Sequence, residues 1–250
     1  MFLLGDSHTR SYVLSDYVQP VFIGSGRQNN LSSKFLLAQY VLKLCLVNRY
    51  LRSDKTMTLG IVIGEPDVRI ACFGDYWVRD NVQSEEKTAK HIRCVSANLR
   101  SLLIISKKLR IRIRYIVGAG TPNEEIYSVV RKMNLQFSEV ADRFQVPFFD
   151  PQSSFDMADD KHKYLGKSVF NPAEDDLIHF SKRISRDLDK FLQSNQFDTA
   201  ESINLSDKGG PFCHFKFKKE FGCYVCVYGR LFDIFFRILN RIEWISRRFF

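Results

Sequence analysis

The chain has 250 residues, of which 45% are hydrophobic and 26% charged, an ordinary composition for a globular protein with a sizeable core. Its longest uncharged stretches, such as residues 35–42, are about half as long as a membrane-spanning helix, so no transmembrane segment is expected. The formal net charge of +9 is unevenly placed: residues 208–250 carry nine Lys and Arg against three Asp and Glu, whereas the preceding 207 residues carry 28 against 25.

In chain order, short apolar runs alternate with longer amphipathic stretches. The apolar runs predict strands at residues 1–4, 21–23, 58–63, 111–117 and 146–149. The amphipathic stretches predict helices at residues 31–51, 84–107, 123–144 and 180–193. Strands separated by helices indicate a parallel sheet covered on both faces, so we expect an α/β fold of the three-layer, flavodoxin-like kind with five parallel strands.

This α/β domain is assigned to residues 1–196, and residues 197–250 are predicted to be a basic, aromatic-rich tail. In residues 228–250, arginines recur near helical spacing opposite an apolar face, which predicts an amphipathic helix. Such a helix suits contact with an anionic membrane surface, or alternatively packs on the domain or on a second copy of the chain. Nucleic acid is not expected as a partner, because the aromatic residues share the apolar face and do not lie among the arginines.

The N-terminus is not expected to be a secretory signal, because Asp6, His8 and Arg10 interrupt the first apolar run. The six cysteines are scattered and are expected to be reduced thiols. Together these features favour a cytoplasmic protein, peripheral at the inner membrane surface if the tail contacts a membrane.

The first predicted strand ends in Gly5-Asp6-Ser7-His8, at the sheet edge where folds of this kind bind ligands. Taken alone, Ser7 is a turn or helix-cap residue, since a serine hydroxyl is a poor nucleophile unless a base removes its proton. His8 is set aside as that base because adjacent side chains normally point apart. His179 is the better candidate, because Asp176, three residues earlier, would hold Nδ1 of the imidazole and leave Nε2 facing the serine.

Further blocks follow in order: Gly24 after the second strand, Gly64-Glu65-Pro66-Asp67 after the third, and Asp176-Leu177-Ile178-His179 near the end. With the first block they resemble the SGNH (GDSL-type) hydrolase superfamily, and in particular its Gly-Asp-Ser-His-Thr branch, over residues 1–195.

The resemblance implies that Ser7 is the nucleophile and that Asp176 and His179 complete a catalytic triad. It also implies an oxyanion hole that includes the amide of Gly24, with Gly26 as the alternative glycine. No metal or organic cofactor is needed for this chemistry.

The third block departs from the Gly-x-Asn-Asp pattern that is usual in this superfamily. Pro66 replaces the asparagine that donates to the oxyanion, and loss of one such donor costs about 3 kcal/mol of transition-state stabilisation in other enzymes. Arg69 is a candidate for supplying positive charge instead. The stretch also resembles the Gly-Glu-x-Asp-x-Arg variant of SGNH-like proteins from bacterial glycan-modification loci. Glu65 and Asp67 are candidate site residues or, alternatively, structural groups that bond neighbouring loops.

Two other motifs do not predict a site. The glycine pairs at 24–26 and 118–120 follow strands, but each lacks the remaining features of a dinucleotide-binding loop, so no nucleotide is expected. The cluster of Cys213, His214, Cys223 and Cys226 matches known zinc spacings poorly, so no metal is expected.

The sequence therefore predicts a serine hydrolase that cleaves acyl esters. The resemblance to glycan-associated proteins implies a small-molecule or glycan substrate, with an O-acetyl group on a carbohydrate as the expected ester. Two alternatives stay open: an acyltransferase in glycan assembly, and a catalytically silent domain that binds a glycan or a partner, for which Pro66 is the main support. The polar stretch Gln152 to Ser168 is expected to overhang the site.

Overall fold

The structure is a computed structural model that describes residues 1–24, 31–51, 59–74, 82–167, 175–199, 204–230, 232, 234–238 and 241, with the backbone alone at 167, 175–178 and 207. In these residues the strands are β1 (Phe2–Gly5), β2 (Gln19–Phe22), β3 (Leu59–Val62), β4 (Ile113–Val117), β5 (Phe148–Phe149), β6 (Leu165–Lys167), β7 (Asp175–Phe180), β8 (Cys213–Lys218) and β9 (Cys223–Tyr228). The α-helices are α1 (Lys34–Leu51), α2 (Glu65–Phe73), α3 (Glu85–Lys108), α4 (Tyr127–Arg143), α5 (Pro151–Asp156) and α6 (Ile184–Ser194).

The main sheet contains β1 to β5 as parallel neighbours, in the order β5-β4-β3-β1-β2. The predicted total of five strands is wrong. In the described part of the chain β9 pairs parallel with β2, and β8 pairs antiparallel with β9, which gives a sheet of seven strands with β1 at its centre.

Helices cover both faces of this sheet. Successive strand residues point to opposite faces, and so Leu4 belongs to one core cluster while Leu3 belongs to the other. The larger cluster lies between the sheet and α1 to α4, and the smaller one includes side chains of α5 and α6. Burial on both faces explains why the central strands are continuous apolar runs rather than alternating ones.

The region after β5 differs from the prediction. The helix predicted from residue 180 begins at Ile184, and Phe180 is the last residue of β7, which pairs antiparallel with β6 in a separate two-stranded ribbon. The stretch Gln152 to Ser168, predicted as a polar loop, contains most of α5, a 3₁₀-helix at Lys161–Tyr164, and β6.

Residues 213–228, part of the predicted tail, form an edge hairpin of the main sheet, because apolar and polar side chains alternate along β8. Cys213 and Phe215 are buried, whereas His214 and Lys216 are exposed. Helical backbone follows at residues 230, 232, 234–238 and 241, and the rest of the predicted amphipathic helix lies outside the described residues. Among the helices that are described, none combines the length and the apolar character needed to cross a membrane.

Candidate active site

Ser7 lies at the carboxyl end of the central strand of the sheet. Strand β1 ends at Gly5, and a 3₁₀-helix at Ser7–Tyr12 begins two residues later. Asp6 caps this helix: its carboxylate accepts the backbone N–H of His8 at 2.9 Å, and its carbonyl accepts the Thr9 hydroxyl at 2.8 Å. The tight turn holds Ser7, which is partly exposed, at the edge of the sheet where ligands of such folds bind.

His179 reaches Ser7 because β7 is irregular and is tied to the 3₁₀-helix. Leu165 pairs with Phe180 but the next residue, Gly166, pairs with Asp176, so residues 177–179 lie between two consecutive pairs. The hydroxyl of Ser11 donates to the carbonyl of Phe180 at 2.8 Å and fixes the end of β7 to the 3₁₀-helix.

The two nitrogens of the His179 ring contact two residues of the same 3₁₀-helix. Ser7 Oγ lies 3.0 Å from Nε2, and Arg10 Nη2 lies 2.7 Å from Nδ1. Residues three apart in a 3₁₀-helix lie on the same side, which explains why Ser7 and Arg10 both reach one imidazole. A guanidinium has donors only. A neutral His179 in this arrangement therefore accepts at Nδ1 and donates from Nε2 to the serine.

Asp176 was predicted to occupy the position that Arg10 takes beside Nδ1. Its backbone pairs with Gly166 in the ribbon, and its side chain lies outside the described side chains. Its role in a triad stays a prediction.

A set of buried charged residues, here called the buried network, adjoins the two catalytic candidates and consists of Asp6, His8, Glu65 and Arg69. His8 Nδ1 is 2.9 Å from Asp6 Oδ1, and His8 Nε2 is 3.7 Å from Glu65 Oε2. Arg69 Nε donates to Glu65 Oε1. All four residues are less than 10% exposed, so these charges compensate one another within the protein.

The buried network has opposite effects on the pKa values of Asp6 and His8. Burial alone would lower the pKa of His8, but the carboxylates of Asp6 and Glu65 outweigh it and raise that pKa above its ordinary value of 6.5. Burial alone would raise the pKa of Asp6, but the charge and hydrogen bonds of His8 lower it below 3.8. The ring of His8 also stacks on His179, with centroids 4.4 Å apart, so the buried network is in direct contact with the candidate base.

The third sequence block opens α2. Gly64 precedes the helix with φ 105°, and a Cβ there would lie 2.7 Å from the ring of Phe137, so glycine is required. Pro66 is the second residue of α2, where backbone N–H groups have no partner within the helix and proline is tolerated. The fully buried carboxylate of Asp67 accepts the backbone N–H of Leu31 at 3.0 and 3.1 Å, which is the structural alternative considered for this residue.

Gly5 pairs with Phe22 in parallel register at the ends of β1 and β2, and Gly24 follows two residues after the end of β2. The role of Gly24 in an oxyanion hole stays a prediction. Gly24 has φ 135°, a conformation that other residues rarely adopt. Gly26 lies outside the described residues. Arg69 takes part in the buried network, and its predicted charge on an oxyanion stays a prediction.

Two spaces of very different size adjoin these residues. A cavity of about 10 Å³, lined in part by Asp6, His8 and Glu65, has about the volume that one water needs and is too small for an acyl group. A cleft of about 720 Å³ has Arg10 and His179 in its wall. We call it the basic cleft, because the charged side chains described in its lining, apart from His179, are Arg10, Lys163, Lys182, Arg183, Arg186, Lys219 and Glu220.

Sequence reasoning missed two residues of this site. His8 was set aside because adjacent side chains point apart, yet it reaches His179 by ring stacking and not through Ser7. Arg10 was treated only as a charge that interrupts an apolar run. Its spacing of three from Ser7 would have indicated the contact had the 3₁₀ conformation of this segment been known.

The described residues hold no group of three or more His, Cys, Asp or Glu side chains that could bind a metal ion.

Neither a protein-family model nor a curated protein matches the sequence. Solved structures that resemble the chain include an acetylxylan esterase from Geobacillus stearothermophilus, with 17% identity, coverage of 81% of this chain and 96% of that one, and a TM-score of 0.46. An extracellular lipase from Streptomyces rimosus has 16% identity, with coverage of 77% of this chain and 97% of that one and a TM-score of 0.42. An aryl esterase of M. smegmatis has 15% identity, with coverage of 79% of this chain and 99% of that one and a TM-score of 0.41.

Proposed function

We propose that this protein is a serine hydrolase that cleaves acyl esters. The observation that carries the proposal is the 3.0 Å contact between Ser7 Oγ and His179 Nε2 at the carboxyl edge of the central strand. A serine hydroxyl becomes a nucleophile when a base within hydrogen-bond reach takes its proton, and these two atoms are within that reach.

In the proposed reaction, Ser7 Oγ attacks the carbonyl carbon of the ester while its proton passes to His179 Nε2. The bond from the carbonyl carbon to the alcohol oxygen then breaks, and His179 gives the proton to the leaving oxygen. Water attacks the acyl-serine in the second half, again with His179 as base, and releases the carboxylic acid and free Ser7. The backbone N–H groups of Ser7 and Gly24 are proposed to bind the oxyanion.

Arg10 sets a condition on this mechanism. To accept a proton from Ser7, Nε2 of His179 must be unprotonated, and Nδ1 then carries the hydrogen and needs an acceptor. The guanidinium at Nδ1 favours the opposite tautomer. Catalysis therefore requires Arg10 to leave Nδ1 and an acceptor to replace it, the role proposed for Asp176.

The ester is proposed to be an O-acetyl group on a carbohydrate, on the strength of the Gly-Glu-x-Asp-x-Arg block at residues 64–69. With Pro66 in place of the donor asparagine, we expect slow turnover, because one oxyanion donor is worth about 3 kcal/mol.

A second candidate function is a catalytically silent domain that binds an anionic ligand. The contact of Arg10 with His179 Nδ1 favours it, because that contact opposes the tautomer that hydrolysis requires. The two functions differ in whether Ser7 is needed for the release of acid.

The test is release of acetate from 4-methylumbelliferyl acetate and from acetylated monosaccharides, without any added acceptor. Ser7→Ala and His179→Ala are each expected to lower the rate at least about 10³-fold. Ser194→Ala and His162→Ala, which alter exposed side chains, serve as matched controls and should retain the rate. Activity that survives Ser7→Ala would contradict the proposal, and activity that appears only when an acceptor alcohol is supplied would indicate acyl transfer.

A further inference from the structure

We propose that the protein binds the surface of an anionic lipid bilayer through the segment that follows β9. The surface concerned, here called the tail face, consists of the exposed side chains of Arg230, Ile234, Phe235, Arg237, Ile238 and Arg241. The inference is independent of the reaction proposed for Ser7, because it uses no residue of that site.

One side of this helical segment packs on the domain. The ring of Phe232 contacts that of Phe212, with centroids 5.5 Å apart, and the ring of Phe236 contacts that of Tyr228 at 5.3 Å. The ring of Phe236 also lies 5.5 Å from Nζ of the buried Lys43. Residues four apart share one side of a helix, so Phe232 and Phe236 define the side that faces the protein.

The opposite side of the segment carries exposed apolar side chains. Ile234 is two residues from both Phe232 and Phe236, a rotation of about 200° that turns it away from the domain. Ile234, Phe235 and Ile238 are 53%, 43% and 50% exposed. Three exposed apolar side chains within five residues form a patch that gains free energy when an apolar phase covers it.

Arginines surround this apolar patch. Arg230, Arg237 and Arg241 are exposed, and their spacings of four, three and seven from Ile234 place them on the same side of the helix. The sequence of residues 228–250 contains five arginines and two acids. The segment therefore keeps a positive charge even where each acid pairs with an arginine.

This combination favours a lipid surface over a second copy of the chain. In a symmetric dimer the same face of each copy would meet, so the arginines of the two copies would repel each other. An anionic bilayer offers phosphate groups, which bind a guanidinium through two parallel hydrogen bonds. Its acyl boundary takes up the apolar side chains of a helix that lies in the plane of the surface.

Binding is tested by co-sedimentation of the full-length protein with vesicles. Vesicles of phosphatidylcholine alone are compared with vesicles of phosphatidylcholine and phosphatidylglycerol. The partition coefficient is expected to be at least about tenfold higher for the mixed vesicles and to fall as the salt concentration rises. Equal binding to both kinds of vesicle, or binding to neither, would overturn the proposal.

The contribution of charge is measured with Arg237→Gln combined with Arg241→Gln. A basic residue close to an anionic surface strengthens binding about fivefold, so this variant should bind the mixed vesicles at least about tenfold more weakly than the wild type. The matched control is Arg93→Gln combined with Arg100→Gln, which alters two exposed arginines of α3 and should bind like the wild type. Equal losses in the two variants would overturn the proposal.

The apolar contribution is measured with Phe235→Ser combined with Ile238→Ser. Loss of the two side chains is expected to weaken binding to the mixed vesicles at least about fivefold. Leu135→Ser combined with Met157→Ser alters apolar side chains that are 61% and 79% exposed elsewhere, and should keep the wild-type partition. An unchanged partition in the variant at residues 235 and 238 would overturn the proposal. A wild-type urea midpoint shows that each variant is folded.

Sedimentation velocity without lipid tests the competing occupant, a second copy of the chain. We expect the wild type and the variant Phe235→Ser with Ile238→Ser to sediment alike. A wild-type dimer that these two substitutions convert to a monomer would show that a second copy covers the tail face, and would overturn the proposal.

Discussion

The two groups of residues that adjoin His179 differ in both burial and charge balance. In the buried network, two acids and two bases pair with one another and are less than 10% exposed. In the basic cleft, six basic side chains and one acid line an open space, counting only the side chains that the structure describes. The charges of the network pair with one another inside the protein, whereas the described lining of the cleft is mainly of one sign.

The two stacked histidines, His8 and His179, also differ in the charged groups that contact them. His8 has a carboxylate at each ring nitrogen, and their charge raises its pKa. His179 has a hydroxyl at one nitrogen and a guanidinium at the other. The two carboxylates therefore favour the protonated form of His8.

The largest effect is expected from breaking the buried network. Glu65→Met removes a buried carboxylate that Arg69 and His8 both contact, and loss of one partner from a buried ion pair costs about 3–5 kcal/mol. This loss of stability is measured as the decrease in the free energy of unfolding in urea relative to the wild type. The matched control is Glu139→Met, whose carboxylate is exposed and should change stability by less than about 0.5 kcal/mol. Similar values for the two variants would show that the network contributes nothing particular to stability.

A smaller effect is expected on the cleft side, from Arg10→Met. A charge-assisted hydrogen bond contributes about 1.5–3 kcal/mol. Removing the guanidinium should therefore make the tautomer of His179 with hydrogen on Nδ1 easier to form. We expect Ser7 to react several-fold faster with an uncharged fluorophosphonate, as measured by the rate of labelling. A slower reaction would show that Arg10 supports the catalytic arrangement instead of opposing it.

The smallest effect is a pH dependence of stability. The pKa of His8 is raised on folding, so its contribution is complete below the ordinary value of 6.5 and is lost as pH rises through the folded-state value. The pKa of Asp6 is lowered, so its contribution is present above 3.8 and is lost as pH falls through its folded-state value.

Stability should therefore decline from about pH 5.5 to about pH 8.5 in the wild type and decline less in His8→Gln. Urea midpoints at the two pH values measure this, with exposed His162→Gln as the control that should keep the wild-type slope. Equal slopes in the wild type and His8→Gln would contradict a raised pKa.

The parallel part of the sheet was predictable because its strands are buried on both faces and are continuous apolar runs, as in Phe2 to Leu4 and Leu59 to Val62. The hairpin was missed although its pattern was available. Cys213, Phe215 and Phe217 alternate with polar residues along β8, a period of two that predicts an edge strand. Strand β7 offered no such signal, because it begins with two aspartates and pairs only in the small ribbon.

The site was predictable where spacing along the sequence defines geometry and unpredictable where packing does. Ser7 follows a strand directly, so the sequence indicated its place at the sheet edge. The contact of Arg10 with His179 depends on a 3₁₀-helix and on an irregular strand 169 residues away in sequence, and neither is encoded in a local pattern.

The central claim is that Ser7 is a nucleophile activated by His179. Its most direct test is labelling of the purified full-length protein with a fluorophosphonate, followed by mass spectrometry to find the modified residue. We predict a single adduct on Ser7 that is lost in Ser7→Ala and in His179→Ala and kept in Ser194→Ala. Absence of labelling in the folded wild type, or labelling that survives His179→Ala, would contradict the account.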